Sequence, residues 1–74
     1  MMDAGFLDCK QLSCPMPLVR LNQALRALRP GDRLTVEADD PAFGADLQAW
    51  AHRFGHKIVA FDAGPVQRAV VEKG

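Results

Sequence analysis

Two helix-period stripes with a strand-period segment between them constrain this chain more than any other feature. Leu18, Leu21, Leu25 and Leu28 recur at spacings of three, four and three, which places them on one stripe of a helix from about Pro15 to Leu28. In the stretch Arg33 to Ala38 the apolar residues Leu34, Val36 and Ala38 alternate with polar ones, the period of a strand with one buried face. Phe43, Leu47, Trp50, Ala51 and Phe54 then fall on one face of a second helix. A chain that changes period in this way buries both stripes by laying its helices on a sheet.

The punctuation completes the order. Phe6 to Cys9 reads as a first strand and Lys10 to Ser13 as a polar loop. Arg29-Pro30-Gly31-Asp32 ends the first helix, because proline cannot continue it and glycine admits a left-handed turn. Asp39-Asp40-Pro41 starts the second, with Asp40 as the cap and Pro41 at the first helical position, and Gly55 ends it. Ile58 to Phe61 and Val66 to Glu72 read as strands joined by a hairpin connection, Asp62-Ala63-Gly64-Pro65. The expected fold is α+β, a two-layer α/β sandwich of order βαβαββ. Its four-stranded mixed sheet carries both helices on one face and leaves the other exposed or available to a partner.

At 74 residues, one domain over 1–74 is expected, and folding at this size removes only about 60% of the unfolded chain's surface. The balance of 49% hydrophobic and 24% charged residues is that of a globular chain. Nine Lys plus Arg offset nine Asp plus Glu, so no net field holds a nucleic acid or an anionic membrane. Met1-Met2-Asp3-Ala4-Gly5 is not a basic region followed by an apolar one, and a cytoplasmic chain with no direct membrane contact is expected. Two cysteines are too few for a secreted disulfide framework.

Those cysteines carry the chemistry. In Ser13-Cys14-Pro15-Met16-Pro17, Cys14 immediately precedes the first helix and is expected at its N-cap, where free amides and the dipole favour a thiolate. Pro15 and Pro17 then take the first and third helical positions, stiffen the start and remove two amide donors. The Met16 N–H is left as the backbone donor to the Cys14 sulfur, with Lys10 and Arg20 adding positive potential. The competing reading of Cys14 as an apolar filler fits poorly with a position flanked by prolines at a helix start.

Leu7-Asp8, Leu12, Cys14-Pro15-Met16-Pro17, Pro30-Gly31-Asp32 and Asp39-Asp40-Pro41 together resemble the TusA family of SirA-like sulfur carriers, over nearly the whole chain. The resemblance implies that Cys14 accepts sulfane sulfur as a persulfide and relays it to another protein's cysteine. It implies a donor such as a cysteine desulfurase or rhodanese and a downstream acceptor protein. Family members serve tRNA thiolation, molybdenum cofactor maturation or sulfur metabolism. On this reading the chain is a monomeric protein co-substrate and not an autonomous enzyme, with no cofactor and no metal.

Other readings compete at named residues. Cys9 is either a resolving thiol or a small residue of the first strand, and the second is preferred; its separation from Cys14 is not the Cys-x-x-Cys spacing of a redox pair. His52 and His56 have a zinc-like spacing, but Gly55 ends the helix between them and His52 faces solvent. Arg20, Arg26, Arg29 and Arg33 form either a basic patch or a solvated face, without the interleaved aromatics of a nucleic-acid surface. Trp50 and the phenylalanines are assigned to the core. The alternative function is a regulatory or RNA-binding module in which Cys14 is only structural.

Overall fold

The computed structural model describes residues 3–13 and 15–74. The elements run β1 (Asp3–Cys9), α1 (Met16–Arg26), β2 (Arg33–Ala38), α2 (Phe43–Phe54), β3 (Lys57–Asp62) and β4 (Gln67–Glu72), the expected βαβαββ order. The mixed sheet has the order β1-β2-β4-β3, with β1 parallel to β2 and β4 antiparallel to both of its neighbours. Both helices therefore follow strands that run the same way, and the loops preceding α1 and α2 emerge at one end of the sheet.

Strand period decides the two faces. Leu34, Val36 and Ala38 of β2 and Gln67, Ala69 and Val71 of β4 are buried beneath the helices. From α1 the buried residues are Pro17, Leu21 and Leu25, with Leu18 and Leu28 packed at the margin; from α2 they are Phe43, Leu47, Trp50 and Ala51. On the uncovered face the register lines up Phe6, Thr35, Val70 and Ala60 in one row and Asp8, Glu37, Arg68 and Asp62 in the next.

Three expectations are corrected here. The second helix begins at Phe43, not Pro41: Asp40 Oδ1 accepts the Ala42 N–H at 3.1 Å and the Asp40 carbonyl accepts the Phe43 N–H at 2.9 Å. Because Ala42, not Asp40, holds the N-cap position of a helix that starts at Phe43, the Asp40 bond closes an Asx turn ahead of the helix, and Pro41 and Ala42 lie in that turn. The first helix likewise begins after Pro15 and ends at Arg26, with Ala27 as its C-cap.

The third concerns the aromatic residues, of which only Phe43 and Trp50 join the core. Phe6, Phe54 and Phe61 are 54%, 55% and 38% exposed. Phe6 points from β1 to the open face and Phe61 sits on edge strand β3, where its ring lies against Gly44. A Cβ at Gly44 would meet Phe61 Cζ at 3.0 Å and Gln67 Oε1 at 3.3 Å, so the missing side chain lets α2 approach the sheet closely. Phe54 is the last residue of α2, next to the left-handed Gly55 (φ 75°), and borders the groove between the helices.

Candidate functional site around the loop between β1 and α1

β1 delivers the chain to Cys9, and a turn closed by the Leu12 N–H on the Cys9 carbonyl (3.2 Å) reverses it. Gln11 occupies the left-handed region there (φ 68°), the only non-glycine residue to do so among the described residues. Such a backbone costs of order 1–3 kcal/mol and persists only where its surroundings fix it. Here the Gln11 N–H donates to Asp39 Oδ1 at 2.9 Å, which ties this loop to the one between β2 and α2. Gln11 did not stand out in the sequence, and Asp39 did so only within the Asp39-Asp40-Pro41 helix start, because their bond joins residues 28 apart.

Cys14 itself lies outside the described residues, so its side chain enters only through its neighbours. Pro15 occupies the N-cap (φ −97°, ψ 14°), which moves Met16 and Pro17 to the first and second helical positions and puts Cys14 one residue before the cap. The reason is in the hydrogen bonds: the first intrahelical acceptor is the Pro15 carbonyl, which takes the N–H groups of Leu18 (3.0 Å) and Val19 (3.1 Å). The Met16 N–H, expected to serve the Cys14 sulfur, donates to the Ser13 carbonyl at 2.9 Å. Two prolines without N–H and two engaged amides account for every orphan donor of this helix start. The dipole remains as the helix's own pull on an anion.

The motif residues divide by exposure. Pro17 is fully buried and wedges α1 against the sheet, whereas Pro15 is exposed and Met16 is 42% exposed. Val19, 38% exposed, adds to this apolar rim. Its signal in the sequence was an apolar residue off the leucine stripe.

Cys9 is different in kind. It has no exposed surface, lies opposite Ala38 within the core cluster, and burial pushes its thiol above the ordinary 9.0, against an opposing pull from the Arg20 charge. Buried in this way it is inert as a thiol.

A family model described as "Sulfurtransferase TusA" matches residues 5–73. The chain belongs to the TusA family. It is 39% identical over 69 residues to two proteins of Bacillus subtilis called putative sulfur carrier proteins, YrkF and YrkI. In both cases 92% of this chain is matched, but it spans 92% of YrkI and only 37% of YrkF. A crystal structure of a SirA-like protein from Desulfitobacterium hafniense superposes with a TM-score of 0.80 at 25% identity, covering 95% of this chain and 97% of that one.

Around this TusA scaffold the remaining candidates separate. Lys10 does not stand as a free charge beside the loop: its ammonium pairs with Glu37 (3.2 Å) and Asp8 (3.7 Å) on the open sheet face, and the Glu37 hydrogen bond, with Asp8, raises its pKa. Arg20 is exposed on α1 with its charge felt at Cys9. Arg33 departs from Arg20, Arg26 and Arg29, since it pairs with Glu72 at 3.2 Å on the sheet. His52 is exposed in the last turn of α2, while His56, beyond Gly55, stacks on Trp50 with centroids 4.9 Å apart. Among the described residues no three His, Cys, Asp or Glu side chains gather as metal ligands.

Proposed function

We propose that this chain is a sulfur carrier that holds a persulfide on Cys14. The Cys14 thiolate attacks the outer sulfur of a persulfide on a donor of the cysteine desulfurase or rhodanese type, the donor's S–S bond breaks, and the donor cysteine leaves as a thiolate. In the second half-reaction an acceptor protein's thiolate attacks the sulfur held on Cys14, and Cys14 leaves in turn. No net oxidation occurs and no general base is required, so the chain acts as a co-substrate of its partners rather than an enzyme.

The observation that carries this reading is the contrast between the cysteines. Cys9 is sealed in the core, which leaves Cys14 for thiol chemistry, and Pro15, Met16 and Val19, which follow it in the chain, offer a partner exposed apolar surface. Membership of the TusA family and the names of the relatives support the same reading. No helix among the described residues is long and apolar enough to cross a membrane. We place the carrier in the cytoplasm, as a monomeric unit of one domain feeding tRNA thiolation, molybdenum cofactor maturation or sulfur metabolism.

Intact mass after incubation with a cysteine desulfurase and cysteine tests the proposal. The expected result is a gain of one sulfur atom, reversed by dithiothreitol, retained in Cys9→Ala and absent in Cys14→Ala. No gain with desulfurase or rhodanese donors, or a gain that survives Cys14→Ala, overturns it.

A further inference from the structure

A cavity of about 310 Å³ lies at the end of the helical layer away from the Cys14 loop, lined by Asn22, Leu25, Arg26, Phe54, His56 and Lys73. An α-helix rises ~1.5 Å per residue, so the eleven residues of α1 set it roughly one helix length from that loop. We propose that this cavity is a binding site for a small molecule that carries an oxyanion, a carboxylate or phosphate, on an apolar body.

The polar lining is made of donors. Asn22 Oδ1 is already occupied by the Trp50 Nε1–H at 2.9 Å, which leaves its amide N–H groups to face a ligand. Lys73 places its ammonium 2.6 Å from the carbonyls of both Leu25 and Leu28; it thereby neutralises the negative end of α1 and keeps one N–H in hand. His56 Nδ1 accepts the Gly74 N–H at 3.2 Å, which puts the proton of the neutral ring on Nε2 as a further donor. Arg26 is exposed and its guanidinium has no ion-pair partner among the described residues. Two fixed positive charges and no carboxylate in the lining select an anion, and a guanidinium favours planar or tetrahedral oxyanions over a point charge such as chloride.

The apolar part follows from the walls. Leu25 and Phe54 supply the apolar lining, and Phe54 is the most exposed large apolar residue of the helical layer. The volume exceeds that of an inorganic anion and stands at the small end of ligand pockets. Charge on the layer agrees: α1 and α2 carry Arg20, Arg26 and Arg53 against the single acidic residue Asp46.

Phenyl phosphate, benzoate, inorganic phosphate and chloride titrated against the full chain test the site. The readouts are fluorescence of Trp50, the only tryptophan and a ring in contact with His56, and backbone amide chemical shifts. Phenyl phosphate and benzoate are expected to saturate, more tightly than inorganic phosphate, with shifts at Asn22, Arg26, His56 and Lys73 and no saturation by chloride. Arg26→Gln should weaken phenyl phosphate by about tenfold, the loss of one charge-assisted contact, while the exposed position preserves the fold. Phe54→Ala should weaken phenyl phosphate and leave inorganic phosphate unchanged. No saturable response, shifts confined elsewhere, or an affinity unmoved by Arg26→Gln overturns the proposal.

Discussion

Strand β1 shows two chemistries on its two faces. On the covered face Leu7 and Cys9 lie opposite Val36 and Ala38, and Cys9 has no exposed surface. On the open face Phe6 and Asp8 lie opposite Thr35 and Glu37, and Phe6 keeps 54% of its surface in water. One strand thus carries an inert cysteine inward and an ion-paired, partly apolar surface outward. The Cys9 thiol is sealed because it meets the covered side of the sheet, although it lies only five residues before Cys14 in sequence.

The sharpest test of the contrast is at the cysteines. Iodoacetamide should label one thiol in the native protein and two after denaturation, and Cys14→Ala should abolish native labelling; rapid native labelling of Cys9 would break the comparison. Next in size is packing. Leu21→Ala or Leu47→Ala on the covered side should cost about 2–5 kcal/mol in urea unfolding, whereas Phe6→Ala should cost well under half of that.

Cys9 and His56 give weaker, opposite pH slopes. The Cys9 thiol is raised in the folded state, so its contribution is complete below the unfolded value of 9.0 and is lost as pH rises through the folded one. Cys9→Ala should flatten that alkaline loss. His56 is lowered from 6.5 by burial and then by the Lys73 charge, so stability present above 6.5 should fall as pH drops through its folded value, and His56→Gln should remove this slope. The smallest effect is expected on the open face: Glu37→Gln releases both Lys10 and Arg68, and the difference from the parent protein should shrink further in high salt.

Much of this was legible before the structure. The leucine stripe of α1, the alternation in β2 and the αL glycine at Gly55 are local patterns, and the strand and helix periods read them directly. The fates of Phe6, Phe54 and Phe61 were not legible, because an aromatic in an apolar stretch looks the same whether its face is covered or not. The helix starts were displaced for a related reason. Whether Asp40 caps or turns, and whether the Met16 N–H meets a sulfur or the Ser13 carbonyl, depends on backbone angles that residue type does not specify.

The sequence by itself determined the element order, the two apolar stripes, and the Cys14-Pro15-Met16-Pro17 motif at the start of the first helix, since these rest on spacing and on the fixed geometry of proline and glycine. Only the tertiary structure decided that Cys9 is sealed, that Lys10 is committed to Glu37, that Asp39 holds the Gln11 turn, and that Asn22, Arg26, His56 and Lys73 line one cavity. These relations join residues far apart in the chain. They come into existence only when sheet register and helix docking bring those residues within a few ångströms of one another.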